Sequence, residues 1–222
     1  MSPAFDPSRV RALCFDIDGT LLETDDLLVA RLERLLPLGH AAARRLVMAA
    51  ESPANALLTW IDRLGLAEGL APFLDRLHRW RGLGTVDTFR AVEGSIEAMR
   101  RLAEHYPIAL ATAREARTAF AFLEAFGLRP LVACVASART TRRGKPHPAP
   151  IQWVAERLGL PPRACLVVGD TTVDIQAGRA AGSQTVGVLC GFGERAELER
   201  AGADLILPSV AELPGVLLGV VS

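Results

Sequence analysis

Polar side chains stand directly behind several short apolar runs of this chain. Asp16 and Asp18 follow Ala12-Leu13-Cys14-Phe15, and Thr112 follows Ile108-Ala109-Leu110-Ala111. Asp170 follows Cys165-Leu166-Val167-Val168-Gly169, with Asp174 one helical turn further on. Lys145 lies in the loop-forming string Gly144-Lys145-Pro146-His147-Pro148. Carboxylates gathered at one spot repel one another unless a cation sits among them. Oxygen-only donors select a hard ion, and Mg²⁺ takes only one or two carboxylates alongside water and phosphate oxygens. An Asp carboxylate is also competent as a nucleophile, forming an aspartyl-phosphate and dividing a difficult hydrolysis into two easier steps. Asp18, two residues past Asp16, is placed to protonate a leaving oxygen and then to deprotonate an attacking water. Lys145 and the Thr112 hydroxyl would hold phosphoryl oxygens as charge develops. Gly19 frees the turn to bring backbone N–H groups near a phosphate.

These residues are far apart in sequence, so the elements between them must bring them together. Strand-like apolar runs at 12–16, 108–111, 131–135, 165–168, 185–188 and 204–207 alternate with helical patterns. Ile96, Met99, Leu102 and Ala103 share one helical spacing; Ala119, Phe120, Leu123 and Phe126 share another, stopped by Gly127. Ile151, Val154, Ala155 and Leu158 mark a third helix, and Val173 to Ala181 a fourth, ended by Gly182. Continuous apolar strands alternating with helices predict a parallel sheet covered on both faces. The right-handed crossover rule makes it an α/β, Rossmann-like doubly wound parallel sheet. In such a sheet ligands bind beyond the carboxyl ends of the strands, where all the residues above would meet. Residues 24–88 break the rhythm. Leu28, Leu32, Leu35 and Leu36 form one helical stripe, and Leu70, Phe73, Leu74 and Leu77 another. The expected organisation is a catalytic core of residues 1–23 and 89–222 with an inserted all-helical domain at 24–88.

Taken singly, each polar residue has a plainer explanation. An Asp behind a strand is often a turn former or helix cap, and Thr112 is a natural N-cap for the helix after it. Asp174 could be a first-turn acid favoured by the helix dipole. His147 reads as a loop residue before Pro148. The basic and aromatic stretch Arg76-Leu77-His78-Arg79-Trp80-Arg81 reads as a solvated helix face. Taken together and in order, the residues favour catalysis.

Asp16-Ile17-Asp18-Gly19-Thr20-Leu21 resembles the first motif of the haloacid dehalogenase-like hydrolase superfamily. Thr112 resembles its second motif and Gly144-Lys145-Pro146-His147-Pro148 its third. Gly169-Asp170-Thr171-Thr172-Val173-Asp174, with Ala177 and Ala181-Gly182, resembles its fourth. The order and spacing fit over nearly the whole chain. The resemblance implies Asp16 as nucleophile and magnesium ligand, and Asp18 as general acid/base with its backbone carbonyl on the metal. It implies Thr112 and Lys145 as phosphate-binding catalytic residues, Asp170 as metal ligand, and Asp174 as support for the metal site or for Lys145. Gly19, Ala113 and Arg114 are the expected substrate contacts, Arg114 through a second anionic group. Ala113 stands where many relatives carry Asn, and Glu23 where they often carry Asp. The insert falls where the family places a helical cap, and the pattern is similar to the phosphoglycolate phosphatase and β-phosphoglucomutase branch. Gly191-Phe192-Gly193 and Ala201-Gly202-Ala203-Asp204 look more like the phosphatase side. Asp18 argues against dehalogenation, because a halide leaves without a proton.

The expected activity is Mg²⁺-dependent hydrolysis of a small phosphate monoester. The rivals are a phosphomutase of the same fold and a non-catalytic binding or regulatory protein built on it. In 222 residues, half of them apolar, there is room for a core and an insert. The formal net charge of zero calls for neither nucleic acid nor an anionic membrane as partner, and leaves a small phosphorylated metabolite. Four cysteines without CxxC pairing read as small buried hydrophobes in a reducing compartment. No signal-like N-terminus or bilayer-length apolar run is present, so a soluble cytoplasmic monomer or homodimer is expected.

Overall fold

In a computed structural model, residues 5–23 and 89–219 are described. Strand β1 (Ala12–Phe15) is buried along its whole length. Its side chains alternate: Leu13 and Phe15 enter one core cluster and Cys14 another. That alternation means both sheet faces are covered, as the apolar character of every position requires. β1 pairs in parallel with β2 (Ile108–Ala111) on one side and β4 (Cys165–Gly169) on the other. β3 (Val132–Ala136), β5 (Gln184–Val188) and β6 (Leu205–Leu207) complete a six-stranded parallel sheet in the order β3-β2-β1-β4-β5-β6. This is the doubly wound order expected from the alternation of elements.

One face is covered by α1 (Ser95–Ala103), α2 (Ala116–Ala125) and α6 (Leu213–Leu218). Ala98, Met99 and Leu102 of α1, with Ala119, Phe122 and Leu123 of α2, lie at helical spacing and pack on Leu13, Phe15, Ile108 and Leu110. Each such Leu or Phe, fully removed from water, contributes roughly 1.5–3 kcal/mol. The other face is covered by α3 (Ala149–Arg157), α4 (Thr172–Ala181) and α5 (Arg195–Ala201). Here the sheet residues are small (Cys14, Ala109, Ala111), and Ile151, Val154 and Ala177 pack against them. α4 approaches very closely at Gly178, where a Cβ would meet the Thr185 methyl and Val167.

Some features depart from the sequence expectation. Thr112 does not cap α2; the N-cap is Glu115, because the chain first turns through Ala113 and Arg114. The Thr112 hydroxyl instead accepts from the Arg114 backbone N–H at 3.1 Å, closing a local turn. α5 and α6 were not anticipated. α5 buries Leu198 alone, so it carries no apolar stripe. Pro214 lies in the first turn of α6, where its missing N–H is harmless. Cys14 and Cys165 are buried, Cys134 is half-buried on the edge strand β3, and none of the four cysteines forms a disulfide. Among the described residues no helix is long and apolar enough to cross a membrane.

The chain divides into two compact units: Met1–Glu23 with Phe89–Ser222, and Thr24–Thr88. The helical insert expected over 24–88, including the basic stretch at 76–81, lies outside the described residues. Where the core chain resumes, Glu23 N–H donates to the Arg90 carbonyl (2.9 Å) and Val92 N–H to the Leu21 carbonyl (2.9 Å).

Candidate active site

β1 and β4 are neighbours at the point where the strand order reverses, and each ends in a carboxylate: Asp16 after β1, Asp170 after β4. A crevice forms at such a switch point because the connections on either side leave in opposite directions. The Asp16 N–H still donates to the Val168 carbonyl at 2.9 Å, so this residue is held at the sheet edge. α4 begins just past Asp170, and its first turn supplies Asp174. Thr171 is the N-cap of a capping box: its N–H and hydroxyl both donate to Asp174 Oδ2, at 3.1 and 2.6 Å.

Carboxylate oxygens of Asp16, Asp170 and Asp174 lie within 4.8 Å of one another. Lys145, from the loop before α3, enters this cluster with its Nζ 2.9 Å from Asp16 Oδ1 and 2.5 Å from Asp174 Oδ1. Asp170 is fully buried; it accepts the Thr20 hydroxyl (3.2 Å) on Oδ1 and the Phe192 N–H (2.8 Å) on Oδ2. The fit around it requires glycine. Gly19 turns at φ +74°, and a Cβ there or at Gly191 would collide with the Asp170 carboxylate.

The electrostatics are unbalanced. Burial pushes the Asp16 carboxyl up to about 7, with Asp174 and Asp18 adding to the rise and Lys145 opposing it. Burial, then Asp174 and Asp16, likewise push Asp170 well above the usual carboxylate range. Burial works against the charge of Lys145, but Asp16 and Asp174 outweigh it and hold the ammonium protonated. Fully ionised, three carboxylates and one ammonium leave two negative charges uncompensated. An oxygen-only donor set with that deficit fits a hard divalent cation such as Mg²⁺. Asp170 has unused lone pairs for such an ion, and Asp16 stands beside it.

Asp18 sits apart from the trio. Its carboxylate is gripped by Arg114: Nε lies 2.9 Å from Oδ1 and 2.8 Å from Oδ2, and Nη2 lies 2.5 Å from Oδ1. Thus the structure brings Asp16, Lys145, Asp170 and Asp174 into one cluster, with Gly19 against Asp170. It places Asp18 and Thr112 around Arg114, and it leaves Ala113 exposed. Arg114 was expected at a substrate anion; in this structure its guanidinium is already committed to Asp18. His147 shapes the lysine loop, its Nδ1 accepting the Ala149 N–H at 3.2 Å. Thr20, Thr171 and the Phe192 amide escaped the sequence reading as site residues, although all three lie inside quoted motifs. Their role is to hold carboxylates, and nothing in a sequence distinguishes such a hydroxyl or amide from its neighbours.

Residues 10–182 match the family described as haloacid dehalogenase-like hydrolase. The phosphoglycolate phosphatase of Pectobacterium atrosepticum is 28% identical, over 93% of this chain and 92% of its own. A hydrolase from Pseudomonas syringae superposes with a TM-score of 0.71 at 25% identity, over 96% of this chain and 100% of that one. A family hydrolase from Deinococcus radiodurans, solved with bound phosphate and sodium, gives a TM-score of 0.69 at 27% identity, over 95% of this chain and 96% of that one.

Proposed function

The chain belongs to the haloacid dehalogenase-like hydrolase family, and on that premise we propose that it is a Mg²⁺-dependent phosphatase of small phosphate monoesters, working through a phospho-aspartate on Asp16. The observation that carries this is the convergence of Asp16, Asp170, Asp174 and Lys145 at the sheet's switch point. An Asp16 oxygen attacks phosphorus, and the bond from phosphorus to the leaving oxygen breaks as that oxygen takes the proton of Asp18. Water then attacks the phosphorus of the acyl phosphate and gives its proton to Asp18. Phosphate departs and Asp16 is regenerated. Bound Mg²⁺, held by Asp16, Asp170 and the Asp18 backbone carbonyl, would supply charge neutralisation for the phosphoryl oxygens. Lys145 favours the ionised Asp16 that attack requires, against the effect of burial, and adds positive charge beside the transferred group; Asp174 holds Lys145. The Thr112 hydroxyl, Gly19 and Ala113 border the phosphate and its ester group.

The named phosphatase relative supports a phosphoglycolate-like substrate. Residues 24–88 are proposed as the helical domain that selects the leaving group. The test is phosphate release from a panel of alkyl, sugar and aryl phosphates, with and without Mg²⁺, by wild type and Asp16→Asn. Release that needs both Mg²⁺ and Asp16 is expected, and Asp16→Asn should lose at least about 10³-fold. Wild-type rates in the variant or in strong chelator would overturn the mechanism. Isomerisation of a sugar phosphate dependent on a bisphosphate activator would replace hydrolysis by mutase chemistry. No turnover of either kind would leave a binding protein.

A further inference from the structure

Arg114 is a buried cation of the described core, and nothing in the proposed chemistry uses it. It is 6% exposed. Its backbone is fixed at both ends: its N–H donates to Thr112 Oγ1 at 3.1 Å, and its carbonyl accepts the Ala138 N–H at 2.9 Å. Its guanidinium lies over the ring of Phe89, with Cζ 5.9 Å from the centroid, and Phe89 packs edge-on against the buried Phe122. A long side chain anchored in this way has little rotamer freedom left to lose, so it can fix whatever it binds. What it binds is Asp18, through both carboxylate oxygens. Asp18 Oδ1 accepts from Nη2 at 2.5 Å and Oδ2 from Nε at 2.8 Å, with Nε also 2.9 Å from Oδ1.

We propose that Arg114 is the positioning residue of the general acid: its Nε and Nη2 hold both oxygens of Asp18 and fix the orientation of the carboxyl that passes the proton. The assignment rests on the phosphatase reading above. The clamp is compatible with both halves of the cycle. While Asp18 carries its proton, the carboxyl still offers the guanidinium lone pairs as an acceptor. After the proton has gone to the leaving oxygen, the same two N–H groups hold the carboxylate ready to receive one from water. The fork geometry matters, because an ammonium at this site offers charge without two fixed parallel donors. In this structure the Nε–Nη2 edge of the guanidinium is occupied by Asp18.

The leaving group provides the test. An alkoxide needs a proton to depart and p-nitrophenolate does not, and kcat/KM reports only the steps up to its departure. We would compare kcat/KM for glycerol phosphate, phosphoglycolate and p-nitrophenyl phosphate in wild type, Arg114→Ala, Arg114→Lys and Asp18→Asn. Arg114→Ala should lose about 10- to 100-fold on both alkyl esters and under about threefold on the aryl ester, with Arg114→Lys between it and wild type. Equal losses on all three esters would make Arg114 merely structural. A loss confined to the carboxylate-bearing phosphoglycolate would make it a substrate contact. Either result overturns the proposal, as would no loss. If Arg114→Ala does not fold, the same comparison in Arg114→Lys decides. Asp18→Asn separates the two levels: if it shows no preference for the aryl ester, the acid role of Asp18 fails. If it does and Arg114 variants do not, only the positioning role fails.

Discussion

At the scale of single residues, the site is built around carboxylates that do not want to be charged together. Asp16 is the clearest case, held up to about 7 against an ordinary value of 3.8. The sign follows directly. An Asp whose folded pKa is raised keeps its proton in the folded chain while the unfolded chain ionises. It therefore destabilises the metal-free protein increasingly as pH rises from about 4 to about 7, and fully above that. Asp16→Asn keeps the shape and removes the charge. In chelator its melting temperature should exceed that of wild type, and the gap should be wider at about pH 8 than at about pH 5. Calorimetry at the two pH values checks this; a gap that narrowed with rising pH would contradict the raised Asp16. The same residue then shows opposite effects on stability and on turnover, as expected where a strained group does chemistry.

At the scale of elements, two short segments decide whether the carboxylates meet. The loop after β1 folds Gly19 onto Asp170, and α4 must lie close enough to the sheet to bring Asp174 to Lys145. α4 can do so because Gly178 faces Thr185 and Val167 with no side chain between. Gly178→Ala puts a methyl 2.5 Å from the Thr185 methyl carbon. Overpacking of this kind costs about 1–3 kcal/mol. The helix is expected to move away from the sheet and carry Asp174 with it. The variant should therefore show a lower melting temperature together with weaker activation by Mg²⁺, measured as the Mg²⁺ concentration for half-maximal phosphate release. A drop in stability with unchanged Mg²⁺ dependence would show that α4 can shift without disturbing the site. The elements themselves were largely legible: the runs at 108–111 and 165–168 became β2 and β4, and Gly127 and Gly182 ended helices where expected. α5 was not, since a seven-residue helix burying only Leu198 has no period to detect.

At the scale of the molecule, the strand order places β1 beside β4, and with them residues about 150 positions apart in sequence, such as Thr20 and Asp170. Cation binding at this junction should stabilise the whole core, because it relieves repulsion that only folding creates. Adding Mg²⁺ to chelated protein is expected to raise the melting temperature at about pH 8. At 100 times its dissociation constant the ion adds about 2.7 kcal/mol. The increase should shrink at about pH 5, where protons compete for Asp16 and Asp170. A thermal shift series at the two pH values tests it; an increase independent of pH, or none, would speak against these carboxylates as the ligands. The sequence by itself determined the alternation of strand and helix, and hence a parallel sheet with polar residues at its carboxyl edge. The reason is that periodicity and strand ends are local properties of the chain. It also carried Asp16, Asp18, Thr112, Lys145, Asp170 and Asp174 as a set, through motif order. Only the tertiary structure decided which of them touch. Lys145 between Asp16 and Asp174, and Arg114 on Asp18 rather than turned toward a ligand, are contacts between loops from different strands. Such contacts depend on packing, burial and competing partners, and no local pattern encodes them.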